Sequence, residues 1–216
     1  MLKHYLDTSE LADNGILNEE FGVMVSLSGG MDSALVLYQL ARDLPKEVPL
    51  SAHHVFFENW QNRQNAEAFA CREIVKEINL IRKIQYSESR MFISCSHAST
   101  WYTVPLMVAN HALSEGIFCV ADGRRLYHGQ GSNITALCAA WDQGDKLYEL
   151  LLPNAKVLTP ILHHTKSKVY EQLPKSLQDI TWSCRNPMSD KGKYTACGEC
   201  VACKDLSKFK VPHRTI

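Results

Sequence analysis

Residues Phe21–Leu44 read FGVMVSLSGGMDSALVLYQLARDL, and the order of residue types in that stretch decides the fold. Phe21–Leu27 is a short apolar run, which predicts a buried strand. Ser28-Gly29-Gly30 closes it as a tight turn. Asp32–Leu44 carries apolar residues at helical spacing and stops before Pro45, which predicts a helix. Strand, glycine turn and helix in that order make the first half of a βαβ unit.

The pattern continues along the chain. Pro49–Phe57 predicts a second strand. Asn62–Asn79 predicts a helix with Ala66, Phe69, Ala70, Ile74 and Ile78 on one face. Leu80–Tyr86 predicts a third strand, Val104–Glu115 a helix closed by Gly116, and Ile117–Ala121 a fourth strand. Asn133–Leu151 predicts a helix, Lys156–Thr159 a last short strand and Lys166–Leu173 a last helix. Strands alternating with helices imply parallel pairing with crossover helices, hence a doubly wound α/β sheet. Such sheets bind ligands beyond the carboxyl ends of their strands. The division expected is an α/β domain over residues 1–180 and a small cysteine-rich lobe over 181–216.

The chain has 216 residues, 45% of them hydrophobic and 21% charged, with Lys+Arg and Asp+Glu both at 23. That composition fits an ordinary globular chain and excludes disorder. Zero formal charge weighs against a broad nucleic-acid surface and leaves room for a local basic patch. The N-terminus has no apolar signal core, and no run of eighteen apolar residues exists, so a cytoplasmic chain without membrane contact is expected.

A cytosolic location keeps thiols reduced. Of the eight cysteines, Cys71, Cys95, Cys119 and Cys138 are scattered and read as buried small hydrophobes. The other four, Cys184, Cys197, Cys200 and Cys203, crowd the last thirty-three residues. Two-residue gaps let neighbouring thiolates converge on one ion, Gly198 relaxes the turn, and Cys184 closes the fourth vertex. Four thiolates fit a structural zinc site that staples a lobe too small for its own core. Closely spaced cysteines with a remote fourth also hold an iron–sulfur cluster, so iron is the rival metal.

The turn Ser28–Ser33 suits a phosphate. Glycines allow close backbone approach, and the helix start offers N–H donors and a positive dipole end. No Lys-Ser or Lys-Thr pair follows, so it is not a Walker A loop. A plain strand-to-helix turn with an Asp or Ser cap is the competing reading. SGGMDS resembles, at all six positions, the SGGxDS signature of the PP-loop ATP pyrophosphatases. The resemblance implies that ATP, split between its α and β phosphates, meets Ser26, Leu27, Ser28, Gly29, Gly30, Met31, Asp32, Ser33, Gly123 and Lys166. It further implies that Asp32 helps hold Mg²⁺ and that Asp32, Ser33 and Lys166 serve the reaction. Thr159-Pro160-Ile161 with Lys166 resembles the TPL…K element of the same superfamily, although a solvated lysine in a first helical turn fits as well. In that superfamily the end of the second strand lies near the adenine, where His53, His54, Phe56 and Phe57 fall and read chiefly as packing.

With the cysteine lobe added, the order of motifs resembles the 7-cyano-7-deazaguanine synthases. Thr181-Trp182-Ser183-Cys184-Arg185-Asn186 and Cys197-Gly198-Glu199-Cys200-Val201-Ala202-Cys203 match that family's T-x-S/T-C-x-N and CGxCxxC elements. Gln61-Asn62-Arg63 is similar to its GQR element, and Val104-Pro105 to a VP pair before the central helix. The resemblance implies adenylation of the carboxylate of 7-carboxy-7-deazaguanine, amide formation with free ammonia, and a second activation to the nitrile, for tRNA or DNA modification. It implies ATP, Mg²⁺ and Zn²⁺, a small-molecule substrate, no stable nucleic-acid complex, and room for a homodimer.

The middle of the chain departs from that family. Leu106, Met107 and Val108 follow the VP pair where an Arg-Asn pair is usual. Asp122–Gly131 replaces a G-Y-P-D-C-R segment, and Lys204-Asp205-Leu206 replaces an arginine. Arg124 and Arg125 stand there as candidates to bind a substrate carboxylate or phosphate, or as plain surface charges. Three other readings stay open: a relative that joins the adenylated acid to another amine, including one on a protein target in antiviral defence, which the rewritten segment motivates; a tRNA sulfurtransferase, since some PP-loop enzymes use cysteines or a cluster for that; and a non-enzymatic nucleotide-binding module.

Overall fold

The computed structural model describes residues 22–58, 63–92, 100–126, 134–208 and 215–216. Phe21, Gln61, Asn62, Cys95, Tyr127–Gly131 and Asn133 lie outside the described residues, as does the side chain of Cys138. Five strands form one parallel sheet: β1 (Val23–Ser26), β2 (Leu50–Glu58), β3 (Gln85–Phe92), β4 (Cys119–Ala121) and β5 (Lys156–Leu158), in the order β3-β2-β1-β4-β5. Helices α1 (Met31–Asp43), α2 (Gln64–Ile78), α3 (Thr100–Ser114) and α4 (Ile134–Leu151) cross between them. Helices α5 (Lys166–Gln172) and α6 (Lys175–Ile180) follow β5. The expected doubly wound α/β sheet is therefore present.

Strand alternation builds two cores. Val23 and Val25 point to one face with Leu35, Leu37, Ile74, Ile78, Val169 and Leu177. Met24, between them, points to the other with Val108, Ala112, Tyr148 and Leu152. Both faces of β1 are thus covered, as its uninterrupted apolar run requires.

Two boundaries and one helix face differ from the sequence reading for identifiable reasons. The third strand begins at Gln85, not Leu80. Ile81 and Arg82 donate their backbone N–H to Ile78, which winds the chain out of α2, and Leu80 is 80% exposed. Buried Arg82 then donates to the carbonyls of Leu44, Pro45 and Val48, so it belongs to a loop clasp and not to a strand. Phe69 is 43% exposed because the buried stripe of α2 runs through Ala70, Ile74 and Ile78, away from it. The Val104-Pro105 pair lies inside α3, which starts at Thr100; the proline falls beyond the first turn, its usual place.

His53 and His54 sit mid-strand in β2, not at its ligand end, and both are buried. The His53 ring lies between Ser87 Oγ and Ser89 Oγ, each at 2.8 Å, and stacks on His111 at 4.3 Å between centroids. Ser87 Oγ also meets His111 Nε2 at 2.6 Å. Burial, then His111 and His54, pulls His53 down to about 4. The unfolded chain takes up that proton near pH 6.5, whereas the folded chain resists it until about pH 4. Stability from this group is therefore present above pH 6.5 and is lost as pH falls toward 4, by about 3 kcal/mol. Urea unfolding at pH 7.5 and pH 5 should show about 2 kcal/mol of that loss, and His53→Gln should flatten it. Equal slopes in the two proteins would count against the assignment.

Cys71 and Cys119 are buried free thiols, as packing residues should be. Among the described residues, no helix is long and apolar enough to cross a membrane.

Candidate active site and metal centre

The chain runs from β1 outward through β2 and β3, then returns to β4 on the other side of β1. The connections after β1 and β4 therefore leave the sheet in opposite directions, which opens a crevice at their carboxyl ends. The turn Ser28–Ser33 occupies that crevice. Gly29 has φ 78°, and a Cβ there would lie 2.7 Å from the Glu67 carbonyl oxygen. Both the conformation and the close approach require glycine. Gly30 is the N-cap of α1 and supplies no side-chain cap, so the helix start is left to a ligand or solvent. Ser33 Oγ receives the Ser28 N–H at 3.1 Å and donates to the Gly30 carbonyl at 3.2 Å, so the hydroxyl braces the turn. Neither Asp32 nor Ser33 caps the helix, which leaves the plain-turn reading without its cap.

Leu27 and Met31 are buried in the core, so only their backbones can face a phosphate. Ser26 ends β1 beside His53. Gly123, just after β4, abuts the turn: a Cβ there would lie 2.8 Å from Ser33 N and 2.9 Å from Asp32 C. Gly123→Ala must push the loop off its path. It should cut nucleotide affinity at least tenfold, about the loss of one charge-assisted hydrogen bond. Calorimetric titration with an ATP analogue checks this, and an unchanged affinity would refute it.

Three charged side chains converge at the mouth. Lys166 Nζ, from the first residue of α5, reaches both Asp32 oxygens at 3.0 and 3.1 Å. Arg125 Nε reaches Asp32 Oδ1 at 2.9 Å, with its side chain 7% exposed. Burial lowers the Lys166 ammonium, and Asp32 opposes that shift. Thr165 caps α5 by accepting from Lys168 N, which fixes the residue before Lys166. The TPI…K element and the SGGMDS turn, 134 positions apart at Asp32 and Lys166, thus meet in one site. Thr159, in the same element, has a buried hydroxyl with no hydrogen-bond partner among the described residues.

Arg124 and Arg125 separate in role. Arg124 is 9% exposed and is held by Asp122 at 2.5 Å and Asp145 at 2.6 Å. Its charge is taken up inside the protein. Of the two, it is Arg125 that faces Asp32.

The described residues after Thr181 include a two-stranded antiparallel sheet, β6 (Met188–Asp190) and β7 (Lys193–Thr195), and helix α7 (Val201–Ser207). The Sγ atoms of Cys184, Cys197, Cys200 and Cys203 all lie within 4.8 Å of one another, and Gly198 takes φ 77° between them. Thiolates about 2.3 Å from one ion at tetrahedral corners stand roughly 3.8 Å apart. The four can hold a single metal ion. Burial works against the Cys200 thiolate, but N–H donors, Arg185 N at 3.4 Å among them, and the Cys203 and Cys197 thiols bring it down to about 6.

The lobe is docked on the turn. Trp182 N–H donates to the Gly29 carbonyl at 2.8 Å, and Trp182, Cys184 and Cys203 pack on Ala66 and Ala70 of α2. The sequence reading missed this contact, and it also missed Glu67. Arg63 Nε lies 3.4 Å from Glu67 Oε1, four residues apart, which is the one legible signal. Burial pushes Glu67 up to about 7, with Arg63 and Arg185 opposing.

With this geometry in hand, solved structures supply a comparison. The U34-tRNA thiolase NcsA from Methanococcus maripaludis, with its 4Fe-4S cluster, is similar at a TM-score of 0.55 and 16% identity, covering 94% of this chain and 69% of that one. The two chains share one α/β fold. The NH3-dependent NAD synthetase of Campylobacter jejuni, in complex with a nitrate ion, gives a TM-score of 0.47 at 17% identity, covering 76% and 68%. No protein-family model matches the chain, and no curated protein matches it either.

Proposed function

We propose that this protein is an ATP-dependent, AMP-forming ligase. On this reading it adenylates the carboxylate of 7-carboxy-7-deazaguanine and converts it with ammonia, through the amide, to 7-cyano-7-deazaguanine. The observation that carries the reading is the meeting of Asp32, Lys166 and Arg125 at the mouth of an uncapped glycine turn. A carboxylate is a poor electrophile, whereas an acyl adenylate has a good leaving group. The chain's part is to hold the phosphates on the Ser28–Ser33 backbone and to set Lys166 and Arg125 where charge spreads in the transition state. Asp32, a lone carboxylate beside that turn, suits Mg²⁺, which binds one or two carboxylates and substrate phosphates and neutralises their charge. The four thiolates suit a structural Zn²⁺, since a closed four-ligand site leaves no position for reacting water.

The test is incubation with 7-carboxy-7-deazaguanine, ATP, Mg²⁺ and ammonium. Nitrile or amide in the mass spectrum supports the reading, and AMP without either sinks it. An amide joined to a different amine would support the diverged ligase. The Asp122–Arg124–Asp145 network, standing where the substrate-pocket segment is rewritten, supports that variant of the ligase reading. Likeness to a tRNA thiolase with an iron–sulfur cluster supports sulfur transfer as the second reading. A purified protein with iron and acid-labile sulfide would turn the choice that way.

A further inference from the structure

The Ser28–Ser33 turn has two flanks. Asp32, Lys166 and Arg125 occupy the flank beyond β4. On the other flank, beyond β2, the first turn of α2 presses on Gly29 and the lobe reaches over it through Trp182. Three charged residues collect there. Arg63 sits at the N-cap of α2, Glu67 lies one turn further on, and exposed Arg185 follows Cys184 in the lobe. Cys184 shares a buried cluster with Ala66 and Ala70, which bracket Glu67, so the lobe sets Arg185 beside that same turn of α2. The Arg63–Glu67 contact is long, at 3.4 Å, and the two side chains are 18% and 20% exposed. Two guanidiniums against one carboxylate leave an excess of positive charge next to the turn.

The proposed reaction sets a problem that this flank answers. A substrate carboxylate must approach the α-phosphate, and like charges repel. Arg124 is held by Asp122 and Asp145, while Arg125 and Lys166 hold Asp32. The cations that receive the acid must come from elsewhere around the turn. A planar guanidinium with five N–H donors matches a carboxylate in two parallel hydrogen bonds. We propose that Arg63 and Arg185 form the receiving site for the substrate's carboxylate, and that Glu67 is a positioning residue that holds the two guanidiniums apart and aimed. Arg185 is anchored for this role by its own N–H on Cys200 Sγ, at 3.4 Å, so the metal lobe completes the substrate site. This inference rests on the ligase reading.

The experiment is calorimetric titration of the full chain with 7-carboxy-7-deazaguanine, with Mg²⁺ and a non-hydrolysable ATP analogue present. Arg63→Gln and Arg185→Gln should each weaken binding of the acid by about tenfold, and the pair by about a hundredfold, the worth of charge-assisted hydrogen bonds. Affinity for the ATP analogue should stay within about threefold, well below the loss of one such bond. The neutral 7-carboxamide should bind wild type and the double variant equally, which a merely structural role would not predict. Arg63→Lys and Arg185→Lys, which keep the charge, should recover part of the affinity and serve if the glutamine variants lose metal or melt early. Glu67→Gln should weaken the acid less than either arginine change. Acid binding that is strong in wild type and unmoved in the double variant overturns the inference and leaves the ligase reading standing. A wild type that neither binds this acid nor exchanges pyrophosphate into ATP in its presence overturns both.

Discussion

Lys166→Met is expected to lower kcat/KM for acid-dependent ATP consumption by roughly 10²–10³-fold, the usual loss for one preorganised charge at a transition state. The methionine fills the same volume without the ammonium. Asp32 keeps its ion pair with Arg125 at 2.9 Å, so no buried charge is stranded. The folding cost should therefore be small. Asp32→Asn is the opposite case, because it removes the carboxylate that lies against both Lys166 and Arg125. Lys166 and Asp32 are 20% and 27% exposed, so the substitution should cost about 1–3 kcal/mol, between an exposed and a fully buried pair. It should lower Tm clearly as well as remove the carboxylate proposed for Mg²⁺. Parallel measurement of steady-state rates, ATP-analogue affinity and Tm separates the two effects. Lys166→Met with full activity would remove Lys166 from the chemistry. A large fall in Tm for Lys166→Met would make Asp32–Lys166 a structural pair.

The sequence made some of this arrangement legible and concealed the rest, for physical reasons. The turn could be read because its six residues are consecutive and lie between unambiguous strand and helix patterns. The cysteine cluster could be read because thiols at two-residue gaps converge on one ion, whatever the rest of the fold does. Lys166 could be read only through likeness to a known element, since a lysine in a first helical turn is ordinary. Its contact with Asp32 depends on how β5 stacks beside β4, which no local pattern encodes. Arg124 and Arg125 are neighbours with identical side chains, and their separation into a buried ion pair and an Asp32 contact follows from Asp122 and Asp145, which are brought together only by the fold. The Leu80–Ile84 segment looked like a strand because Leu80, Ile81 and Ile84 are apolar, yet Arg82 binds loop carbonyls, a long-range contact that propensity cannot see. Docking of Trp182 on Gly29 was hidden in the same way: it joins two distant parts of the chain through a single backbone hydrogen bond.

That docking gives the metal site its largest predicted consequence. On the zinc reading, the wild-type chain should carry one zinc per chain and be colourless, and Cys184→Ser should lose the ion. Structural zinc contributes about 10–16 kcal/mol in small domains, and the described residues of the lobe supply little to match it. Its strands are three residues each, and its buried apolar groups, Trp182, Cys184 and Cys203, rest on Ala66 and Ala70 of α2. Loss of the ion should unfold residues after Thr181, so limited proteolysis should cut there in Cys184→Ser and in chelator-treated wild type. The effect should then travel. Trp182 N–H holds the Gly29 carbonyl, and Arg185 N–H is fixed by Cys200 Sγ, so an unfolded lobe releases the phosphate turn on one flank. ATP-analogue affinity should fall by about tenfold, the scale of one hydrogen bond and its ordering, although none of the four cysteines is proposed to touch the nucleotide. Cys71→Ser, at a buried thiol on the α2 face outside the four-thiolate group, serves as the control: it should leave metal content unchanged. Metal analysis, proteolysis and titration on the same three preparations decide the matter. Zinc-free protein with an intact lobe would refute the structural role, and brown protein with iron and sulfide would replace zinc by a cluster.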